Sequence, residues 1–219
     1  MFLLPLIVFY EVAAGGRRHR VLAFDFLRKF FDLFGPAGLW VPGVAVVVIL
    51  LATHLASGER WQVHWRRVGL MYVEAALLAV PLLALNWAIP LGSAGPAAGQ
   101  GPSWAKVVDQ AAMGIGAGVY EELVFRLVLI SLVMMMGADL FGFPREKVAV
   151  VAVALSATLF AAHHHVPIGA EPFNAVRFTF RAVAGVYLAM IFWFRGYGPA
   201  AGCHAAYNVA LTLNDVQIV

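Results

Sequence analysis

The sequence predicts an all-α fold, a polytopic transmembrane helical bundle of about six to eight helices. Three observations carry this prediction. The chain of 219 residues is 62% hydrophobic and only 12% charged, with a mean hydropathy of +0.83, far more apolar than a soluble domain. Apolar runs of about 20 residues, enough to cross a bilayer as a helix, recur along it. Breaks of turn-forming residues separate these runs at Ser57-Gly58-Glu59, in the Gly/Pro/Ala-rich stretch 92–102, and at Gly142-Phe143-Pro144, Pro167-Ile168-Gly169 and Gly196-Tyr197-Gly198-Pro199.

The elements follow in order. Residues 2–14 (FLLPLIVFYEVAA) are apolar but short, and Arg17, Arg18 and Arg20 come after them, whereas a secretory signal carries its charge ahead of its apolar core. The segment reads as a retained anchor or half-span. Residues 21–34 (VLAFDFLRKFFDLF) set Asp25, Arg28, Lys29 and Asp32 among aromatic clusters at helical spacing, the pattern of an interfacial amphipathic helix. Residues 1–36 therefore form an N-terminal anchor and interfacial helix, and 37–219 a transmembrane bundle. Its spans run at about 37–56, 68–91, 113–137, 147–166, 175–195 and 200–214. Internal repeats and a second domain are absent from the pattern.

The charges exclude several classes. A net charge of +3 and a pI near 9.2 come from arginines beside apolar runs, where headgroups anchor spans. The partner is the lipid bilayer and not nucleic acid, which needs a basic face that the sequence lacks. Cys203 is the single cysteine, so neither an internal disulfide framework nor a Cys-rich zinc knuckle is available. Loops 57–67, 138–147 and 195–199 share one side and carry Arg60, Arg66, Arg67, Arg145, Lys147 and Arg195, while loop 15–36 carries five more cations on the other. The positive-inside rule thus selects neither orientation.

One run breaks the apolar pattern from within. Residues 118–132, GVYEELVFRLVLISL, hold two glutamates and an arginine in the middle of a span. An ionisable group at that depth costs several kcal/mol unless paired or hydrated, which makes it a functional candidate. Glu122 and Arg126 are four apart, acid first, the better order for an ion pair along one helix face. Glu121 lies about 100° around the helix, with Gly118, Phe125 and Val128, and has no partner in its own helix. Two later stretches offer partners. SATLFAAHHHVPIG puts Phe160 and His164 on one face, and GCHAAYNVALTLND does the same for His204 and Asn208. Converging in the bundle core, these groups make an intramembrane polar pocket suited to hydrolysis. Glu121 is the base for a water, His164 orients and polarises it, and His204 with Asn208 donate to a developing oxyanion.

The chain resembles the CPBP intramembrane proteases, the CAAX protease and bacteriocin-processing family that includes the Rce1-type prenyl proteases. Three motifs carry the resemblance: EExxxR as Glu121-Glu122-Leu123-Val124-Phe125-Arg126, FxxxH as Phe160-Ala161-Ala162-His163-His164, and HxxxN as His204-Ala205-Ala206-Tyr207-Asn208. They occur in that order over about 104–215, which the resemblance marks as the protease core. It implies an endopeptidase with a catalytic pocket inside the bilayer and a glutamate-activated water. Glu121 and His164 then activate the water, His204 and Asn208 form the oxyanion site, and Glu122, Arg126 and Phe160 give structural support. Leu127 departs from the glycine that often follows the motif arginine, which touches helix packing more than chemistry. The implied substrates are membrane-embedded or lipidated proteins and peptides, among them prenylated CAAX-ended proteins, bacteriocin leaders, peptide precursors and membrane-protein tails.

Other readings use the same residues. No cofactor is required by the water mechanism, yet Glu121, His164 and His204 also offer one oxygen and two imidazole nitrogens, a three-ligand zinc set with an open fourth position. Against zinc stands the lack of a His-Glu-x-x-His helix. A non-proteolytic membrane scaffold or chaperone is the third reading. Glu121 could also extend the Glu122–Arg126 pair, and His204 with Asn208 could be interhelical glue. On helical geometry His163 and His165 face away from His164, His163 in a structural hydrogen bond on the face of Ser156 and Leu159, His165 at the wet helix end. Glu11, His54 and Glu74 lie near span ends and read as interfacial, and Met134-Met135-Met136 as lipid-facing or packing filler.

Overall fold

A computed structural model describes residues 1–14, 41–58, 62–89, 104–165 and 171–217. The expected interfacial helix at 21–34, the stretch 92–102 and the Pro167-Ile168-Gly169 break lie outside these residues. Seven helices and no β-strand occur among the described residues: α1 Leu4–Ala14, α2 Val41–Ser57, α3 Trp65–Ala88, α4 Trp104–Leu140, α5 Arg145–Ala162, α6 Ala175–Arg195 and α7 Tyr197–Gln217. Three of them, α3, α4 and α6, are long and apolar enough to cross a membrane, and the chain is a multi-pass integral membrane protein.

Boundaries shift where local chemistry outweighs hydropathy. Helix α4 starts at Trp104 instead of 113, because Lys106 and Asp109 interrupt the apolar run without disturbing helical backbone. It then runs for 37 residues, with its turns widened to the π form over Leu123–Ile130 and Met135–Leu140. Helix α5 stops at Ala162 instead of 166; the proline at 167 disfavours helical backbone just before it. Gly196 alone makes the last break, at φ +84°, a conformation that favours glycine. Tyr197, Gly198 and Pro199 already belong to the first turn of α7, where a missing proline N–H costs nothing.

Helix α7 is the hub, packing on α3, α4 and α6. Its first half is lined by small buried residues, Ala200, Ala201, Cys203 and Ala205, which let neighbouring backbones come close. The glycines of α4 do the same from the other side. A Cβ at Gly114 would lie 2.7 Å from Asn208 Cβ, and one at Gly118 would lie 2.6 Å from the Ala205 nitrogen. Gly116 turns the other way, where Tyr10 of α1 fills the space. Helix α1 is thereby part of the bundle: Phe2, Leu3, Ile7 and Tyr10 are buried, and Glu11 accepts a 2.6 Å hydrogen bond from the Tyr120 hydroxyl. Glu74 is held by Arg195 across α3 and α6 at 2.7 Å. Outward, Leu70, Val73, Leu77, Val128, Leu132, Val183 and Phe194 are exposed, an apolar surface suited to lipid. The methionine triplet divides, with Met134 buried among α4 and α5 residues and Met135 and Met136 exposed.

Candidate active site

Glu121 and Glu122 end the regular α-helical part of α4, immediately before its widened turns. Both are buried, at 4% and 0% exposure, so each carboxylate depends on protein partners. Those partners differ. Arg126 Nη1 lies 2.9 Å from Glu122 Oε1, both side chains fully buried, so the sequence spacing does produce the expected ion pair. The same oxygen accepts a 2.9 Å hydrogen bond from His204 Nδ1 of α7. Arg126 also donates from Nη2 to the Gly185 carbonyl of α6 at 3.1 Å, and its guanidinium carbon sits 4.3 Å from the centroid of the Phe160 ring. Glycine at 185 makes this possible, since a Cβ there would press on the Ala157 backbone at 3.0 Å. Four helices are thus tied at one charged knot.

Glu121 faces imidazoles instead. Its Oε1 is 3.5 Å from His163 Nε2 and its Oε2 is 3.9 Å from His204 Nε2. Ligand atoms of Glu121, His163 and His164 all lie within 4.8 Å of one another. Among the described residues no arginine or lysine lies within ion-pair distance of Glu121.

The FxxxH segment builds the other wall. Because α5 ends at Ala162, the Phe160 carbonyl belongs to its last turn, whose oxygens lack intrahelical partners. Two imidazoles cap it: His163 Nδ1–H donates to Phe160 O at 2.8 Å and His164 Nδ1–H at 2.9 Å, matching the two lone pairs of one carbonyl. The Phe160 ring packs edge-on against His164 and His204, with centroids 5.3 and 5.7 Å away, and holds them in place. His163 is therefore a correction to the helical reading. Its ring lies 4.0 Å from that of His164 and shares its carbonyl, because the 100° per residue rule stops applying where the helix stops. Ser156 does not bond His163; its hydroxyl donates to the Phe125 carbonyl in the widened part of α4, at 2.7 Å. His165 is buried, not wet, and donates from Nδ1 to Pro172 O at 3.3 Å while packing on Phe173 and Phe178.

Asn208 lies one turn beyond His204, as the spacing required, and its amide donates to the Gly114 carbonyl at 3.0 Å. That carbonyl is about two turns before Glu121 on α4. One of the two amide protons is thus used to lock α7 against α4. The zinc-type grouping also differs from the sequence expectation: His163 joins Glu121 and His164, while His204 turns its Nδ1 to Glu122. A donor set of two imidazoles and one carboxylate fits a divalent metal of the zinc class.

Helical spacing alone turned His163 away from His164 and gave no packing role to the glycines Gly114 and Gly118. The glycines were legible as a small-xxx-small pattern one helical turn apart. His163 was not, since only the end of α5 brings it round.

Compared with known families, residues 103–210 match the model described as type II CAAX prenyl endopeptidase Rce1-like. No curated protein and no solved structure matches the chain.

Proposed function

Because residues 103–210 belong to the Rce1-like family of CAAX-type intramembrane proteases, we propose that this chain is an endopeptidase that cleaves membrane-embedded or lipidated protein substrates by a glutamate-activated water. One observation carries the reading: of two adjacent buried glutamates, Glu122 is neutralised by Arg126 and Glu121 is left facing imidazoles. A carboxylate with no arginine or lysine locked onto it is the one able to take a proton.

Water sits between Glu121 and His164. With Nδ1–H committed to Phe160 O, a neutral His164 has Nε2 as a hydrogen-bond acceptor, so the two protons of the water point at Glu121 and His164 and its oxygen lone pair at the scissile carbonyl. As the oxygen attacks, Glu121 takes the proton and the carbonyl oxygen becomes an oxyanion. His204 donates to it from Nε2, with Nδ1–H held by Glu122, and so acts as an imidazolium. This charge state balances the knot, since two carboxylates and Arg126 leave one negative charge in excess. Asn208 supplies the second donor from the amide proton not used by Gly114. The C–N bond then breaks, Glu121 returns its proton to the leaving amine, and a carboxylic acid and an amine depart. Glu122, Arg126 and Phe160 hold the imidazoles and do not touch the substrate.

The test is cleavage of a prenylated CAAX-ended peptide and of its unprenylated twin by the purified chain in detergent. Cleavage of the first that is lost in Glu121→Gln supports the reading. A Glu121→Gln variant that keeps its turnover would sink it, and equal cleavage of both peptides would remove the lipid from the substrate description.

A further inference from the structure

The proposed mechanism uses one lone pair on His164 and none on His163. Yet His163 is 7% exposed, its Nδ1–H is committed to the Phe160 carbonyl, and its Nε2 makes no hydrogen bond to protein. A neutral imidazole bonded this way presents a lone pair from Nε2, here aimed at a carboxylate oxygen 3.5 Å away. Two acceptors facing each other at that distance in a buried site repel unless something positive lies between them. His164 has the same arrangement, donor nitrogen on Phe160 O and Nε2 remaining.

We propose that His163 Nε2, His164 Nε2 and one oxygen of Glu121 form a three-ligand site for a zinc-class divalent cation, and that its occupancy blocks the protease by consuming its base. Geometry supports the first half. Zinc bonds of about 2.0–2.1 Å in a tetrahedron set ligand atoms about 3.3 Å apart. One ligand atom from each of the three residues already lies within 4.8 Å of the others, and the edge from His163 Nε2 to Glu121 at 3.5 Å needs almost no adjustment. The backbone carbonyl on each Nδ1–H is the outer partner that metal-bound histidines ordinarily have, fixing tautomer and ring orientation. Imidazole donors favour zinc, cobalt, nickel or copper over magnesium and calcium.

Chemistry supports the second half, which rests on Glu121 as the base. Zinc peptidases of the His-Glu-x-x-His kind keep a glutamate outside the metal's ligands to handle the proton. Here Glu122 is held by Arg126 and His204, and Glu121 itself would be a ligand. With the cation bound, no carboxylate of the pair remains to carry a proton from water to the leaving amine.

The full-length chain in detergent is stripped with a chelator and dialysed against Zn2+, with Mg2+ as the control ion. One Zn2+ per chain is expected, together with visible absorption from bound Co2+ on substitution. His163→Gln and His164→Gln should each weaken binding at least 10- to 100-fold, while melting behaviour in detergent checks that they fold. No stoichiometric zinc in the parent chain, or zinc bound equally well by both variants, overturns the site without reference to activity, whether or not a variant is unstable. The stripped enzyme should be active and lose activity as Zn2+ fills the site. Activity that instead requires Zn2+ overturns the blocking role while leaving the site. If Glu121→Gln retains activity, the base assignment fails, and zinc binding by the parent chain still decides the site separately.

Discussion

Glu121 and Glu122 are neighbours in one helix, equally buried and chemically identical, and the protein treats them differently. Glu122 points toward α7, and His204 from that helix meets the same oxygen as Arg126 from its own. Glu121 points toward the end of α5 and Nε2 of His204, where it meets imidazoles. The first is an electrostatic anchor whose partners hold the bundle together; the second is the group we propose as the base. About 100° of helix rotation separates the two environments. A buried charge acquires its role from the elements packed against it more than from its own chemistry.

The largest effect expected from this contrast is in turnover. Glu121→Ala should lower kcat by about 1,000- to 10,000-fold with melting temperature in detergent nearly unchanged, since it removes the proposed base and strands no arginine. Glu122→Ala should instead reduce folded yield, because Arg126 is stranded at a cost of about 3–5 kcal/mol. An apolar double replacement of Glu122 and Arg126 should recover stability relative to either single variant, which a double-mutant cycle in denaturant would measure. If Glu121→Ala unfolds the protein as badly as Glu122→Ala does, the contrast collapses.

The next effect sharpens the link between the two glutamates. His204→Ala should cost about 100- to 1,000-fold in kcat with KM little changed, because an oxyanion forms only in the transition state. A single-turnover assay that found weaker substrate binding at unchanged chemistry would assign His204 to substrate recognition. Smaller still is the glycine effect. Gly118→Ala sets a methyl 2.6 Å from the Ala205 nitrogen and should destabilise the α4–α7 contact by about 1–3 kcal/mol. Gly114→Ala crowds the side chain of Asn208 and should reduce activity more than Gly118→Ala at equal loss of stability.

The smallest effect lies outside the spans. Glu171 follows the histidine turn, gives its backbone N–H to the His164 carbonyl at 3.2 Å and is clasped by Arg181 at 2.9 and 3.0 Å. The Arg181 hydrogen bonds hold its carboxyl below the ordinary carboxylate range of about 4.5, with burial opposing and Arg177 adding to the pull. A depressed folded value means stabilisation that is complete above the unfolded value and lost as pH falls through the folded one. Thermal melts should therefore drop on acidification below about pH 4.5, and less so in Glu171→Gln. Identical pH profiles for the two proteins would show that the clasp contributes nothing to stability.

Much of the candidate site was readable in one dimension. The Glu122–Arg126 pair followed from spacing within a single helix, and His204 with Asn208 from the same rule. The three motifs in order identified the family. His163 escaped because helical geometry was extended past Ala162, and the dual engagement of Glu122 escaped because it needs a side chain from α7.

The sequence by itself determined the solvent, the helices and the local pairings, since burial of apolar runs and contacts three or four residues apart are properties of the chain alone. Only the tertiary structure decided which carboxylate is paired with arginine and which faces imidazoles. Glu122 and His204 are 82 residues apart in sequence and Glu121 and His163 are 42 apart, so their distances depend on how α4, α5 and α7 pack. That packing is set by glycines, small residues and one helix end, whose effect is felt only when another backbone arrives against them.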